Sequence, residues 1–322
     1  MVDKRPMTVT YDTREESNQN LGIGLGCNGV IDVLIEPLDS NTENPVQLFE
    51  SFEHATGPLA MATIFSGSDG VGEKQLISSD QSITSSLTNA KLADAVANDL
   101  SLVFETKKSE AKNYKIGDAA YEVFIELIQP TISLIIFGGG FDARPVSELA
   151  KSLGWNVSVT DECVAHIAPI FFPSADKLSL CQREFIDRDF NVTPYTACVL
   201  MSHNYEYDRD VLKKLIKTET PYIGILGPRK RFDKMQEEFA KQGIKLSPET
   251  FQRIHSPIGL DIGAEAPDEI AVSIIAEIQS KFANRSGGFL KYHPGPIHHR
   301  DPKNDQVFKQ VYLGDQEIKK SV

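Results

Sequence analysis

A glycine turn between an apolar strand and a helix constrains the fold of this chain more than any other sequence feature. Gly138-x-Gly140-x-x-Ala143 directly follows the apolar run Ile132–Phe137 and opens an amphipathic helix. Asp161 lies 21 residues after Gly140, at the end of the next predicted strand, where a dinucleotide site places its ribose-binding acid. The glycines would let a phosphate approach the free N–H groups of the helix start, or would serve helix–strand packing alone. Either role predicts a Rossmann-type domain.

Strands alternate with helices from about residue 121 to residue 281, which is typical of βαβ units and a parallel sheet. The predicted strands are Ile132–Phe137, Val157–Thr160, Lys177–Cys181, Ala197–Ser202 and Tyr222–Leu226. The predicted helices are Pro145–Leu153, Asp208–Lys217, Arg229–Lys241 and a last one from Pro267 to about Lys281. We therefore expect an α/β protein with a Rossmann-type sheet, ordered 3-2-1-4-5, in a domain of residues 121–322.

The earlier part of the chain has a weaker pattern, which predicts a smaller N-terminal α+β domain over residues 1–120. A glycine-rich loop runs into the strand Val30–Leu34, and further strands are expected at Pro58–Phe65 and Lys74–Ile77. Residues 88–100 have the composition of a helix. The charged stretch Lys107–Lys115 is weakly patterned, so no regular element is assigned there.

Composition excludes several classes of function. The chain has 322 residues, of which 41% are hydrophobic and 24% charged, as in soluble globular proteins. No apolar run approaches the roughly 20 residues of a membrane span, and the first residues lack a secretory signal, so we expect a cytoplasmic protein. The formal net charge of −12 opposes general nucleic-acid binding, although a local basic pocket for a small anion is compatible with it.

The cysteines give no sign of a zinc ribbon or a redox motif, because no two of them are spaced as C-x-x-C. Cys181 and Cys198 lie in or beside apolar runs and are expected to be buried. Cys163 follows the second strand of the Rossmann-type part and is a candidate thiol of the crevice, while Cys27 lies in the glycine-rich loop.

Basic residues stand at two predicted helix starts, where a cation opposes the helix dipole. Arg144 lies in the first turn after the glycine turn, and Arg229, Lys230 and Arg231 open the helix after the fifth strand. His203 ends the fourth strand and would face the same crevice as Gly138–Asp142. We predict that these groups, with Asp142, converge on a phosphate-bearing ligand. The alternative is that the basic residues only solvate the surface.

An acid–base site is a second interpretation of the stretch that begins at His203. A histidine at the mouth of a cleft can relay protons, or can be a hydrogen-bonded structural residue with Asp208 as a helix cap. The sequence has no Ser–His–Asp signature, no H-E-x-x-H and no Walker lysine, and His298 and His299 lack partners at ligand spacing. No catalytic residue is therefore assigned.

Several stretches in this order resemble the XdhC/CoxI family of xanthine dehydrogenase accessory factors. The resemblance covers most of the chain from residue 21 to residue 280. The matching stretches are LGIGLGCNGVIDVLIEPL (21–38), GGGFDARPVSELAKSLGWNVSVTD (138–161), FFPSAD (171–176), MSHNYEYDRD (201–210), PYIGILGPRKR (221–231) and SPIGLDIGAEAPDEIAVSIIAEI (256–278). Asn28 stands where the family pattern has glycine. The family's usual Gly-Gly-Cys segment does not precede this loop in the sequence, so we expect a member that is shortened at its N-terminus, or one that relies on a partner for that segment.

The resemblance implies a maturation factor for xanthine dehydrogenase or carbon monoxide dehydrogenase-type molybdenum hydroxylases. Such factors bind molybdenum cofactor, favour its sulfurated form and pass it to the apo-hydroxylase, with a cysteine desulfurase as a further partner. The cofactor would lie against Gly138, Gly140, Asp142, Arg144, Asp161, His203 and Arg229. Cys27 would reach the cofactor and its molybdenum, because soft sulfur suits that metal, or would merely fill a tight loop.

Two rival functions use the same fingerprint without needing the Cys27 loop. One is an NAD(P)-dependent oxidoreductase, and the other is a module that senses a dinucleotide and performs no chemistry. Binding of nicotinamide cofactor in place of molybdenum cofactor would favour either rival. A homodimer is a further expectation.

Overall fold

The structure, a computed structural model, describes residues 5–12, 30–38, 46, 48, 52, 55 and 57–294. The chain divides into two compact units, Met1–Ile132 and Ser133–Val322, each with its own main sheet. The division falls after the predicted boundary near residue 120, because the strand Ala119–Ile128 pairs with Leu59–Gly67 inside the antiparallel sheet of the first unit.

The first unit contains two antiparallel sheets among its described residues. β1 (Met7–Asp12) and β2 (Val30–Ile35) pair with each other as a two-stranded sheet. The larger sheet has the order β5-β4-β3-β7-β6. Its strands are β3 (Leu59–Gly67), β4 (Lys74–Ser78), β5 (Ile83–Ser85), β6 (Glu110–Ile116) and β7 (Ala119–Ile128).

The helix α1 (Ala90–Thr106) covers one face of the larger sheet. It begins where the Asn89 side chain accepts a hydrogen bond from the Leu92 N–H, which satisfies one of the free amides of the first turn. The buried side chains of α1 recur at helical spacing and pack against alternate residues of β3 and β7, which form the core of this unit. These helix residues are Leu92, Val96, Leu100 and Val103.

The charged stretch Lys107–Lys115, to which the sequence assigned no element, contributes most of β6. Its side chains alternate between partly buried and exposed, and the backbone pairs with β7 along its whole length. Tyr114 packs against the core, and its hydroxyl donates a 2.5 Å hydrogen bond to Asp99 of α1. Pairing with β7 and contact with α1 therefore impose a strand that local composition does not favour.

The second unit is built on a six-stranded parallel sheet with the order β10-β9-β8-β11-β12-β13. Its strands are β8 (Ser133–Phe137), β9 (Asn156–Asp161), β10 (Lys177–Leu180), β11 (Thr196–Leu200), β12 (Tyr222–Ile225) and β13 (Ile254–His255). The helices are α2 (Ala143–Ser152), α3 (Ile186–Asp189), α4 (Tyr205–Leu215), α5 (Arg229–Lys241), α6 (Pro248–Arg253) and α7 (Pro267–Phe282).

This topology confirms the predicted 3-2-1-4-5 order and adds a short sixth strand at the edge. β8 and β11 are neighbours in the sheet although they are not consecutive in the chain, so the strand order reverses between them. In such sheets the crevice outside the carboxyl ends of these two strands is where ligands bind. The turns that follow Phe137 and Leu200 border this crevice.

Burial in this unit agrees with the sequence. The strand residues on either side of the reversal, including Ile136 and Leu200, are inaccessible to solvent. Cys181 and Cys198 are buried as expected, and burial raises the pKa of the Cys198 thiol to about 12, so it is not a nucleophile. Among the described residues, no helix is long and apolar enough to cross a membrane.

Candidate functional site

The glycine turn after β8 has a backbone that only glycine permits at its first position. Gly138 has a φ of +123°, and a Cβ added to it would lie 2.5 Å from the carbonyl carbon of Met201. Its N–H donates a 2.7 Å hydrogen bond to the carbonyl of Thr160 on β9. Gly138 thus lets the turn pass close to the chain that follows β11, which places the start of α2 at the reversal of strand order.

Three consecutive amides of this turn are free to bind a ligand. The backbone N–H groups of Gly140, Phe141 and Asp142 donate no hydrogen bond to any described residue. They immediately precede α2, whose dipole adds partial positive charge at the same place. Consecutive free amides at a helix start form a site suited to a phosphate or a carboxylate.

Arg144 adds a full positive charge to the first turn of α2. Its guanidinium lies 3.9 Å from the ring centre of Phe171 and 5.3 Å from that of Phe141. It makes no ion pair or hydrogen bond with the part of the chain that is described, and its Nε is buried without a partner. Two aromatic rings thus hold in place a cation that has no acidic partner, where it costs about 0.3–1 kcal/mol unless an anion accompanies it.

A hydrogen bond joins the two sides of the crevice. His203 follows β11 with a left-handed φ of +61°, and its Nε2 donates to Asp142 Oδ2 over 2.9 Å. Asp142 Oδ1 is buried without a hydrogen-bond partner among the described residues. The structure therefore brings His203 to the glycine turn, as the sequence predicts, and shows that the carboxylate of Asp142 stands beside the free amides.

Asp161 ends β9 as predicted, but its carboxylate faces the protein. It accepts hydrogen bonds from the N–H groups of Gly139 (2.9 Å) and Cys163 (2.8 Å) and from His166 Nδ1 (3.0 Å). The residue is only 4% exposed. Asp161 therefore fixes the glycine turn against the loop after β9, a role that the spacing of the sequence did not reveal.

On the other side of the crevice, Arg231 pairs with a buried carboxylate. Its Nη2 donates a 2.6 Å hydrogen bond to Asp208, which is 1% exposed and also accepts a 2.5 Å bond from the Ser202 hydroxyl. Burial raises the pKa of Asp208, and these two donors offset only part of that effect. The sequence pointed to Arg229, which opens α5 as predicted but is exposed and has no partner among the described residues.

The prediction that Asp208 could cap a helix is wrong. α4 begins at Tyr205, and the Asn204 side chain accepts hydrogen bonds from the N–H groups of Glu206 and Tyr207. Asp208 lies inside the helix, one turn further on. Residues of the cap type are ambiguous over a few positions, and the buried partner Arg231 decided which role Asp208 takes.

A small cavity adjoins this side of the crevice. It has a volume of about 170 Å³ and is lined by Met201, His203, Leu226, Gly227, Pro228 and Arg231. His203 both lines this cavity and contacts Asp142, so the cavity and the glycine turn are neighbours. The Nε of Arg231 is buried without a partner, so it remains a donor for a ligand in this region.

The structure describes one of the two cysteines predicted at the site and not the other. Cys27, the proposed molybdenum contact, and its glycine-rich loop with Asn28 lie outside the described residues, as do His298 and His299. Cys163 is exposed and follows the buried carboxylate of Asp161. Within the described ranges, no group of three or more His, Cys, Asp or Glu side chains is placed to hold a metal ion.

The fold and these contacts define a Rossmann-type domain whose glycine turn has three amides and an arginine without partners among the described residues. Residues 134–278 match the family described as the XdhC Rossmann domain. A Bacillus subtilis (strain 168) protein, named as a probable xanthine dehydrogenase subunit, is 30% identical over 274 residues, which are 84% of this chain and 74% of that protein. The chain therefore belongs to the XdhC family.

Two further proteins are similar to this chain. The Escherichia coli (strain K12) protein named "Uncharacterized protein YqeB" is 28% identical over 186 residues, which are 56% of this chain and 33% of that protein. A crystal structure described as a xanthine dehydrogenase from Bacillus halodurans superposes with a TM-score of 0.68 at 27% identity. That similarity covers 90% of this chain and 78% of the other.

Proposed function

We propose that this protein is an accessory factor in the maturation of a xanthine dehydrogenase-type molybdenum hydroxylase. Its glycine turn would hold the phosphate end of molybdenum cofactor, and the protein would assist sulfuration of the cofactor and its insertion into the apo-enzyme. Membership of the XdhC family and the Bacillus subtilis relative named for xanthine dehydrogenase support the maturation role. Carbon monoxide dehydrogenase-type hydroxylases are proposed as further targets, with a cysteine desulfurase as a partner.

The observation that carries the cofactor proposal is that Arg144 and three neighbouring amides have no partner in the described part of the chain. A phosphate there would accept hydrogen bonds from the amides of Gly140, Phe141 and Asp142 and would neutralise the guanidinium of Arg144. The donor set therefore fits the phosphate of molybdopterin or the pyrophosphate of its cytosine form. The cofactor would supply redox-active molybdenum and its sulfido ligand, which Cys27 is proposed to contact.

His203 and Arg229 would complete the site with smaller contributions. His203 holds the carboxylate of Asp142 in place through the hydrogen bond that it donates. Arg229 is exposed at the start of α5 and would attract the anion as it approaches. A carrier has to release its ligand, so few contacts and a partly open site are suited to it. We place the protein in the cytoplasm, where it would act as a homodimer.

The rival function, an NAD(P)-dependent oxidoreductase or dinucleotide sensor, is favoured by the fingerprint and by the His203–Asp142 pair, which could relay a proton. Against it, the acid that should bind the ribose, Asp161, already accepts three hydrogen bonds from the protein. The carrier function requires only the phosphate-binding part of the fingerprint, which is free.

The test compares ligand binding by wild type, Arg144→Ala and Arg188→Ala. Molybdenum cofactor, inorganic pyrophosphate, NAD(H) and NADP(H) are titrated in parallel by calorimetry. We expect molybdenum cofactor and pyrophosphate to bind wild type, and Arg144→Ala to weaken both by about 10–100-fold, the equivalent of a lost charge-assisted hydrogen bond. Arg188, an exposed arginine that pairs with Asp189 after β10, is the matched control and should change nothing.

Three other results complete this experiment. Arg229→Ala should weaken binding only a few-fold, and Cys27→Ala should reduce affinity for molybdenum cofactor while leaving pyrophosphate binding unchanged. In cells lacking this protein, the hydroxylase should accumulate with little molybdenum or sulfido sulfur. Binding of nicotinamide cofactors alone would replace the carrier with the rival function, and unchanged affinity in Arg144→Ala would contradict the anion site.

A further inference from the structure

His166 contacts the carboxylate that a Rossmann-type domain ordinarily offers to a ribose. In dinucleotide sites the acid at the end of the second strand binds the ribose hydroxyls. Here the carboxylate is that of Asp161, and His166 Nδ1 donates to its Oδ2 over 3.0 Å. The imidazole is half exposed while the carboxylate is buried, with side-chain exposures of 50% and 6%, so His166 separates Asp161 from solvent.

The hydrogen-bonding capacity of Asp161 explains why this contact matters. An ionised carboxylate has about four acceptor positions, two on each oxygen. Oδ2 accepts from the Gly139 N–H and from His166, and Oδ1 accepts from the Cys163 N–H. One position is left, on Oδ1, whereas a vicinal diol that binds both oxygens needs two. Without the imidazole, one position would be available on each oxygen.

The loop that carries His166 is packed tightly against the glycine turn. A Cβ added to Gly139 would lie 2.5 Å from the carbonyl oxygen of His166, so the two backbones are in close contact. The His166 N–H donates to the carbonyl of Cys163, which closes a short turn of the loop directly after Asp161. The imidazole is therefore positioned by backbone packing as well as by its own hydrogen bond.

We propose that His166 covers the ribose-binding acid, so that the glycine turn binds phosphate esters without recognising a ribose diol. The ligand class is a phosphate or pyrophosphate ester whose remaining part extends toward the cavity beside His203, on the other side of the reversal in strand order. This inference rests on the anion site proposed above. It assigns to His166 a role in specificity: nucleotides are not selected by their sugar.

The experiment measures the affinity of ADP, 2′,3′-dideoxy-ADP and inorganic pyrophosphate for wild type, His166→Ala and Val164→Ala. Wild type should bind ADP and the dideoxy form equally, within about twofold. His166→Ala should prefer ADP by about tenfold or more, because two hydroxyl–carboxylate hydrogen bonds become possible. Val164, an exposed residue of the same loop, provides the matched control and should behave as wild type. Circular dichroism checks that the variants remain folded.

Each outcome decides between the proposals. A tenfold preference of wild type for ADP over the dideoxy form would overturn the role of His166, and so would His166→Ala with no preference. If wild type binds none of the three ligands, the proposed anion site fails and the inference that rests on it fails as well. If wild type binds pyrophosphate but His166→Ala shows no preference for ADP over the dideoxy form, the anion site stands and only the role of His166 is overturned.

Discussion

The two sides of the crevice contain similar residues and use them in opposite ways. Each side has a turn at the carboxyl end of a strand, a helix start and an arginine in or near that start. After β8, the amides of Gly140–Asp142 and the guanidinium of Arg144 have no hydrogen-bond or ion-pair partner among the residues that the structure describes. After β11 and β12, Asp208 accepts hydrogen bonds from Arg231 and Ser202, so the charge of Arg231 is compensated within the protein, although its Nε has no partner among the described residues.

This difference shows that a cation at a helix start does not by itself indicate an anion site. Whether such a cation can bind an anion depends on whether the fold places a buried carboxylate beside it. Asp208 is that carboxylate for Arg231, whereas Arg144 packs against aromatic rings and has no carboxylate partner among the described residues. The first side therefore keeps unpaired donors, whereas the second side is mainly stabilised by its own ion pair.

The largest effect is expected where the two sides meet. Gly138→Ala should lower the free energy of unfolding by more than about 3 kcal/mol, because it combines a disfavoured φ with a clash against the Met201 backbone. Gly154→Ala is the matched control, since its φ is also positive, at +78°, but no atom lies within 4 Å of the added Cβ. Its cost should be about 1 kcal/mol. Equal losses in urea denaturation would show that the two sides are not in close contact.

The next effect tests the ion pair of the second side. Asp208→Ala leaves the partly buried Arg231 without its partner and should cost about 3 kcal/mol in free energy of unfolding. Asp210→Ala, which removes a more exposed carboxylate from the same helix, should cost less than about 1 kcal/mol. Pyrophosphate affinity should rise in Asp208→Asn, because Arg231 then resembles Arg144. An unchanged affinity would mean that Arg231 cannot reach the site.

The smallest effect concerns the pH dependence of stability at Glu277, a residue of α7 that contacts Tyr222 of β12 and His255 of β13. Burial opposes ionisation of Glu277, but hydrogen bonds from His255, Tyr222 and the Gly259 N–H outweigh it and hold its pKa below the ordinary 4.5. The ionised carboxylate thus stabilises the fold above about pH 4.5, and this contribution disappears as the pH falls through the lowered pKa. The free energy of unfolding of wild type should exceed that of Glu277→Gln at about pH 6, and this difference should fall by about 1 kcal/mol by about pH 3.

Denaturant titrations at each pH measure this difference. Tyr222→Phe removes one of the donors to Glu277, so its pH-dependent loss of stability should lie between those of wild type and Glu277→Gln. A constant difference between wild type and Glu277→Gln over the whole range would mean that the carboxylate contributes no pH-dependent stability.

The sequence predicted the parts of the site that depend on backbone pattern. Periodicity and turn residues located β8, α2 and β9, and the spacing placed Asp161 at the end of its strand. The strand order followed from the rules of doubly wound sheets, which brought His203 to the glycine turn. These features are local or topological, so no knowledge of side-chain contacts was needed to find them.

Contacts between distant side chains could not be predicted in the same way. Asp208 and Arg231 are 23 residues apart, and the choice of Arg231 over Arg229 as the crevice arginine depends on which face of α5 meets α4. The strand β6 likewise exists through pairing with β7 rather than through its own composition. A periodicity of burial along α5 could have favoured Arg231, because it lies close to the buried Phe232 and Met235.

By itself, the sequence determined that this chain contains a Rossmann-type domain with a glycine turn, an acid after the second strand and arginines at two helix starts. Only the tertiary structure decided which of these groups are available to a ligand. Availability depends on partners: Asp161 accepts a hydrogen bond from His166, Arg231 pairs with Asp208, and Arg144 has no acidic partner among the described residues. The physical reason is that burial and hydrogen bonding are properties of the packed chain, whereas the sequence specifies only the groups that can take part.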